Sequence, residues 1–117
     1  MASFDENELN ITDGLEYSMN NKDFYVGILD TYIEETTESI EKMDTYVETG
    51  DMPSYATLVH AIKSSSRLIG ANPLGEEAYD LELKAKDGDA EYIKAHHESL
   101  KAHINLIYEC IAAYKAE

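Results

Sequence analysis

The run Pro53-Ser54-Tyr55-Ala56-Thr57-Leu58-Val59-His60-Ala61-Ile62-Lys63-Ser64-Ser65-Ser66-Arg67-Leu68-Ile69-Gly70-Ala71 decides the fold. At about 100° per residue, with Ile62 at zero, Tyr55, Leu58, Val59, Ser66 and Ile69 fall within roughly 60° of it. That clustering is the buried stripe of an amphipathic helix. Pro53 suits its first turn and Gly70 ends it. His60 falls at about 160°, almost opposite the stripe. Ala56, Lys63, Ser64 and Arg67 share its outer face, with Thr57 at the margin.

Outward from this helix the same period recurs. Strand-type alternation is absent, and apolar residues return at three and four. Thr12 or Asp13 can cap a short helix through about Met19, and Asn20-Asn21 breaks it. A second helix, capped by Asn21, runs from about Lys22 to Glu48, with the stripe Phe24, Ile28, Tyr32 (with Leu29 and Ile33), Thr36, Ile40, Met43 and Val47. Gly50 stops it. Beyond Gly70, Asn72 caps a helix with Pro73 at its first position and Leu74, Ala78, Leu81 and Ala85 facing inward. Asp89 caps the last helix, to about Tyr114, whose stripe is Ile93, His97, Leu100, Ile104, Ile107, Ile111 and Tyr114. Joints of a few residues make successive long helices antiparallel. The expected fold is all-α: an up-down-up-down four-helix bundle with a short extra N-terminal helix. Residues 1–10 read as a poorly ordered N-terminal segment and residues 11–117 as one domain.

The chain has 117 residues, enough for a single core without metals or disulfides. Nothing approaches the roughly 18 apolar residues of a membrane span. The acidic, polar start lacks the features of a signal peptide, so a cytoplasmic location is expected. A net charge of -15 opposes binding to nucleic acid or anionic membranes and favours a soluble monomer. Only nine residues are Lys or Arg, and Lys63 and Arg67 both lie on the His60 face. Cys110 is the single cysteine, so no internal disulfide forms, and its helical setting makes it a small core hydrophobe.

An exposed imidazole is a competent nucleophile near neutral pH, since its ordinary pKa is about 6.5. Lys63 and Arg67 can stabilise added phosphoryl charge. Small side chains at Ala56, Thr57, Ser64 and Ser65 leave room for a partner's loops. Phosphoryl transfer depends chiefly on positioning and charge stabilisation, which such a face supplies. The other histidines fit metal binding poorly. His97 points into the core, His96 and His103 could share a flank, and no histidine has Glu three residues before it. Asp87-Gly88-Asp89 is a turn with a cap rather than a calcium loop. The competing reading of His60 is an ordinary surface residue on a bundle that only binds a partner and is never phosphorylated.

The run is similar to the signature of the histidine-containing phosphotransfer (HPt) family: His-x-x-Lys-Gly, small residues, then Gly-Ala about ten positions after the histidine. Here it reads His60, Lys63, Ser65, Ser66 and Gly70-Ala71, with Ser64 where the family most often has glycine. The opening Asp13-Gly14-Leu15-Glu16-Tyr17, then Asp23-Phe24-Tyr25 and Ile28-Leu29, also resembles the family, as do Gly50-Asp51 and Asp87-Gly88-Asp89. The resemblance covers residues 11–114. It implies a phosphoryl carrier rather than an enzyme, taking the group from a receiver-domain aspartate and passing it to another. His60 would be the phosphoacceptor and Lys63 would steady the phosphoryl group. Ala56, Thr57, Ser64 and Arg67 would contact the partner, a response-regulator receiver or a hybrid sensor histidine kinase. Magnesium belongs to the receiver's acidic site, so no cofactor or metal is expected in this chain.

Overall fold

Helical periodicity becomes five helices in the computed structural model, which describes residues 5–117. They are α1 (Ile11–Tyr17), α2 (Lys22–Thr49), α3 (Met52–Ile69), α4 (Asn72–Lys86) and α5 (Ala90–Lys115). No strand occurs among the described residues, and no helix there is long and apolar enough to cross a membrane. Boundaries follow local chemistry. The side chains of Asn21, Asp51 and Asp89 each accept from an amide three residues on, satisfying the open first turns of α2, α3 and α5. Gly50 closes α2 in the left-handed region at φ 75°.

Cross-helix contacts fix the directions. Tyr25 Oη, near the start of α2, donates to the Ile69 carbonyl at the end of α3 at 2.6 Å. His97 and Lys101, early in α5, meet Asp44 late in α2, and Lys115 at the other end meets Asp30. His60 faces Glu82 while Arg67 faces Glu76, and Asp80 accepts from Tyr92 while Glu77 meets His103. Thus α2 and α3, α3 and α4, α4 and α5, and α2 and α5 all run antiparallel, which is the up-down-up-down bundle. The stripes of α4 and α5 are buried at every position the spacing selects, and Cys110 is buried beside them. Full burial of such Leu and Ile side chains is worth about 1.5–3 kcal/mol each.

Three local expectations are corrected. Phe24 is 54% exposed and Tyr25 takes the inward position, completely buried. The α2 stripe is therefore rotated by one residue at its start, because the Tyr25 hydroxyl reaches the α3 carbonyl that a phenylalanine ring would leave unpaired. Asn10, not Thr12 or Asp13, caps α1 by accepting from the Asp13 amide. Ala71, not Asn72, is the N-cap of α4, with no side-chain bond. Ala71 already donates its amide to the Ser66 carbonyl to finish α3, so Gly70 and Ala71 serve both helices. Asn72 instead donates to Asp13 and ties α4 to α1. Of the segment read as poorly ordered, residues 1–4 lie outside the described residues. Residues 5–10 form a turn whose Leu9 is wholly buried and whose Asn10 amide donates to the Gly70 carbonyl at 2.9 Å.

The close approach at Gly70 carries a prediction. Gly70 sits at φ 94°, and a Cβ there would lie 2.1 Å from the Asn10 carbonyl oxygen. A left-handed alanine costs about 1–2 kcal/mol before any clash. Gly70→Ala is expected to destabilise the protein by at least about 2 kcal/mol, with the N-terminal turn displaced. Urea unfolding measures this; an unchanged midpoint would show that the turn moves aside without cost.

His103 predicts a pH dependence. Its Nδ1 meets Glu77 at 2.7 Å and its Nε2 meets Glu8 at 2.6 Å, so the ring clamps the N-terminal turn to α4. Burial lowers the imidazole pKa, but hydrogen bonds to Glu77 and Glu8 outweigh it and the net shift is upward. A raised folded pKa stabilises in full below the ordinary histidine value, and that stability is lost as pH rises through the folded value. The melting temperature of the parent is expected to fall further between pH 6 and pH 9 than that of His103→Gln. Parallel curves would show that the clamp contributes nothing.

Candidate functional site

Helix α3 presents His60 where the periodicity puts it, with a side chain 56% exposed. The stripe on the opposite face is sealed: Tyr55, Val59 and Ile69 are fully buried, and Ser66 is held in the core by the Tyr32 hydroxyl at 2.9 Å. The orientation of the helix is therefore set by its core side, and the exposure of His60 follows from it.

The chemistry comes from α4. Glu82 Oε2 lies 2.7 Å from His60 Nδ1, and Oε1 lies 2.7 Å from Lys63 Nζ. Lys86 Nζ adds a third contact, 2.9 Å from Oε2. The Glu82 side chain is only 2% exposed. Burial pushes its pKa up, but hydrogen bonds from Lys63, Lys86 and His60 outweigh this and bring it to about 2. The group is a carboxylate at any physiological pH and can only accept. His60 Nδ1 is therefore the donor, and in the neutral ring the lone pair sits on Nε2. An open cleft of about 510 Å³ beside the ring is lined by Pro53, Ala56, Thr57, Glu82, Ala85 and Lys86.

The remaining selected residues divide. Lys63 stands beside His60, largely covered at 14% side-chain exposure because its stem crosses onto α4. Thr57, Ser64 and Arg67 are exposed on the same face. Ala56 is corrected: it is buried at 6%, because α4 covers that flank of α3, and it forms part of the cleft wall rather than an open surface. Arg67 reaches Glu76 on α4 at 3.1 Å. Sequence reasoning missed Glu82 and Lys86. One signal was available for Glu82: it stands four after Ala78 and three before Ala85, a charged residue on an apolar stripe.

The family model described as Hpt domain matches residues 27–112. The chain belongs to the Hpt domain family. A curated relative, the phosphorelay intermediate protein rdeA of Dictyostelium discoideum, is 24% identical over 100 residues, covering 86% of this chain and 39% of that protein. The chain thus spans well under half the length of that relative. No solved structure matches significantly. Membership of the Hpt family accounts for the bundle and for the histidine run within the matched segment. It does not by itself assign a role to Glu82, which follows from the geometry.

Proposed function

We propose that this Hpt domain is a histidine phosphocarrier in which His60 takes a phosphoryl group from a receiver-domain aspartate and gives it to another. The observation that carries the reading is an exposed imidazole whose Nδ1 proton is held by a buried carboxylate. The Nε2 lone pair attacks phosphorus, the P–Nε2 bond forms, and the P–O bond to the aspartyl group breaks to release a carboxylate. The Nδ1 proton stays on the ring, so the phosphorylated imidazole is cationic and faces the Glu82 anion at 2.7 Å. The step needs no proton to enter or leave. Lys63 and Lys86 flank the site with positive charge, and Lys63 steadies the phosphoryl group. Thr57, Ser64 and Arg67 provide the open face for the receiver, with Ala56 in the cleft wall. The divalent cation of the reaction belongs to the receiver, and the chain acts as a carrier rather than an enzyme. It works as a soluble cytoplasmic monomer.

The test is incubation with a radiolabelled phospho-receiver and magnesium. The chain is expected to take up label that is lost in acid and kept in alkali, the behaviour of a phosphoramidate. Failure of every receiver from the same organism to label it would refute the carrier role and leave a bundle that only binds.

A further inference from the structure

We propose that Tyr79 is a positioning residue for phosphoryl transfer, an aromatic platform that holds Lys63 beside His60 and Arg67 on the docking face. The proposal rests on the carrier reading above. Tyr79 lies on α4 one turn before Glu82 and is 42% exposed. Lys63 Nζ stands 5.1 Å from its ring centroid and Arg67 Cζ stands 5.8 Å from it. Both distances are within the reach of cation–π attraction. The same ring thus serves two successive cations of α3.

The surrounding residues make the arrangement specific. Lys63 is fixed at both ends of its reach, by the Glu82 carboxylate and by the ring. Arg67 crosses α4 over Gly75, where a Cβ would lie 2.8 Å from its Cγ, and ends on Glu76. Read along α4, Glu76, Tyr79 and Glu82 face Arg67, Lys63 and His60 in antiparallel order. Without the ring, Lys63 would keep one charged contact but regain much of the rotamer freedom of a long side chain. A cation that samples solvent spends less time where the phosphoryl charge arrives. The effect falls on the chemical step rather than on folding.

Tyr79→Leu and Tyr79→Phe separate the ring from its hydroxyl. Single-turnover transfer from a saturating phospho-receiver is expected to slow about two- to fivefold in Tyr79→Leu, the size of an exposed cation–π contact. Tyr79→Phe is expected to restore the parent rate. By NMR the Lys63 ε-methylene protons are expected upfield in the parent and in Tyr79→Phe, and at ordinary positions in Tyr79→Leu. A labelled parent with an equally fast Tyr79→Leu variant overturns this proposal alone. Equal slowing in Tyr79→Phe overturns it too, since the hydroxyl would then be responsible. A parent that takes no label overturns the carrier reading, and this proposal with it.

Discussion

His60→Gln is expected to take up no label from a phospho-receiver while melting within a few degrees of the parent. The side chain is 56% exposed, and substitutions at such positions usually change stability little. Glu82 keeps Lys63 and Lys86 as partners when the imidazole is gone, so no buried charge is left unpaired. The loss of label is expected to be complete because none of the other three histidines offers an equivalent site. His97 is 3% exposed, with Nδ1 on the Tyr55 hydroxyl and Nε2 on Asp44. His103 has a carboxylate on each nitrogen. His96 is exposed, and its Nδ1 donates to the Tyr92 carbonyl at 2.8 Å, so its Nε2 also has a lone pair. It stacks on the Tyr92 ring rather than standing beside a carboxylate flanked by lysines. His96→Gln is therefore the control that should keep full labelling. Label that persists in His60→Gln and disappears in His96→Gln would move the site to α5.

The contrast between His60 and its neighbours shows what a one-dimensional pattern carries. The face of α3 was legible because a helix turns by a fixed angle, and Ile62, Val59 and Ile69 fix the core direction without any knowledge of other helices. Asn21 and Asp89 were legible as caps for the same reason, since capping is local chemistry; Asp51, which caps α3, stood out only as part of the family resemblance. Phe24 and Tyr25 were not separable this way. Both are aromatic, and the choice depends on a carbonyl at Ile69, far away in sequence, which only the tyrosine hydroxyl can satisfy. Gly70 was legible as the end of α3, which it closes in the left-handed region, but not as the residue that Asn10 crosses. It serves that backbone crossing, so this residue of the signature is structural. Ala56 was placed on the open face because the wheel knows only one helix; α4 closes that flank. Glu82, Lys86 and Tyr79 escaped for the complementary reason. Glu82 and Tyr79 meet partners on α3, and no periodicity within α4 reports which residues it meets across the interface; Lys86 joins the site only through Glu82.

Glu82→Gln is expected to slow transfer in both directions by about 10- to 100-fold, taking as the scale the loss of a partner that orients a metal-binding imidazole. The amide keeps the size of the side chain and its carbonyl can still accept from Nδ1. What disappears is the charge. In the parent the carboxylate favours the cationic ring that exists once phosphorus is bonded to Nε2, and this ring leaves as a neutral imidazole when the group is passed on. With an amide there, the Nδ1 proton is held less firmly, and a ring that loses it is a poorer leaving group. The phosphohistidine of Glu82→Gln is therefore expected to survive longer than that of the parent at neutral pH. Its decay is also expected to slow at a lower pH, because the ring gives up its proton sooner. The carboxylate itself does not titrate in that range. Its pKa is depressed to about 2, so the stabilisation it gives the fold is present above the ordinary glutamate value and is lost only as pH falls towards about 2. A change in rate between pH 6 and pH 9 therefore does not come from titration of Glu82. Single-turnover transfer and decay of the isolated labelled protein, followed across that range, measure both effects. A variant that transfers as fast as the parent and loses its label at the same pace would show that Glu82 merely anchors two lysines, and that His60 needs no carboxylate to act.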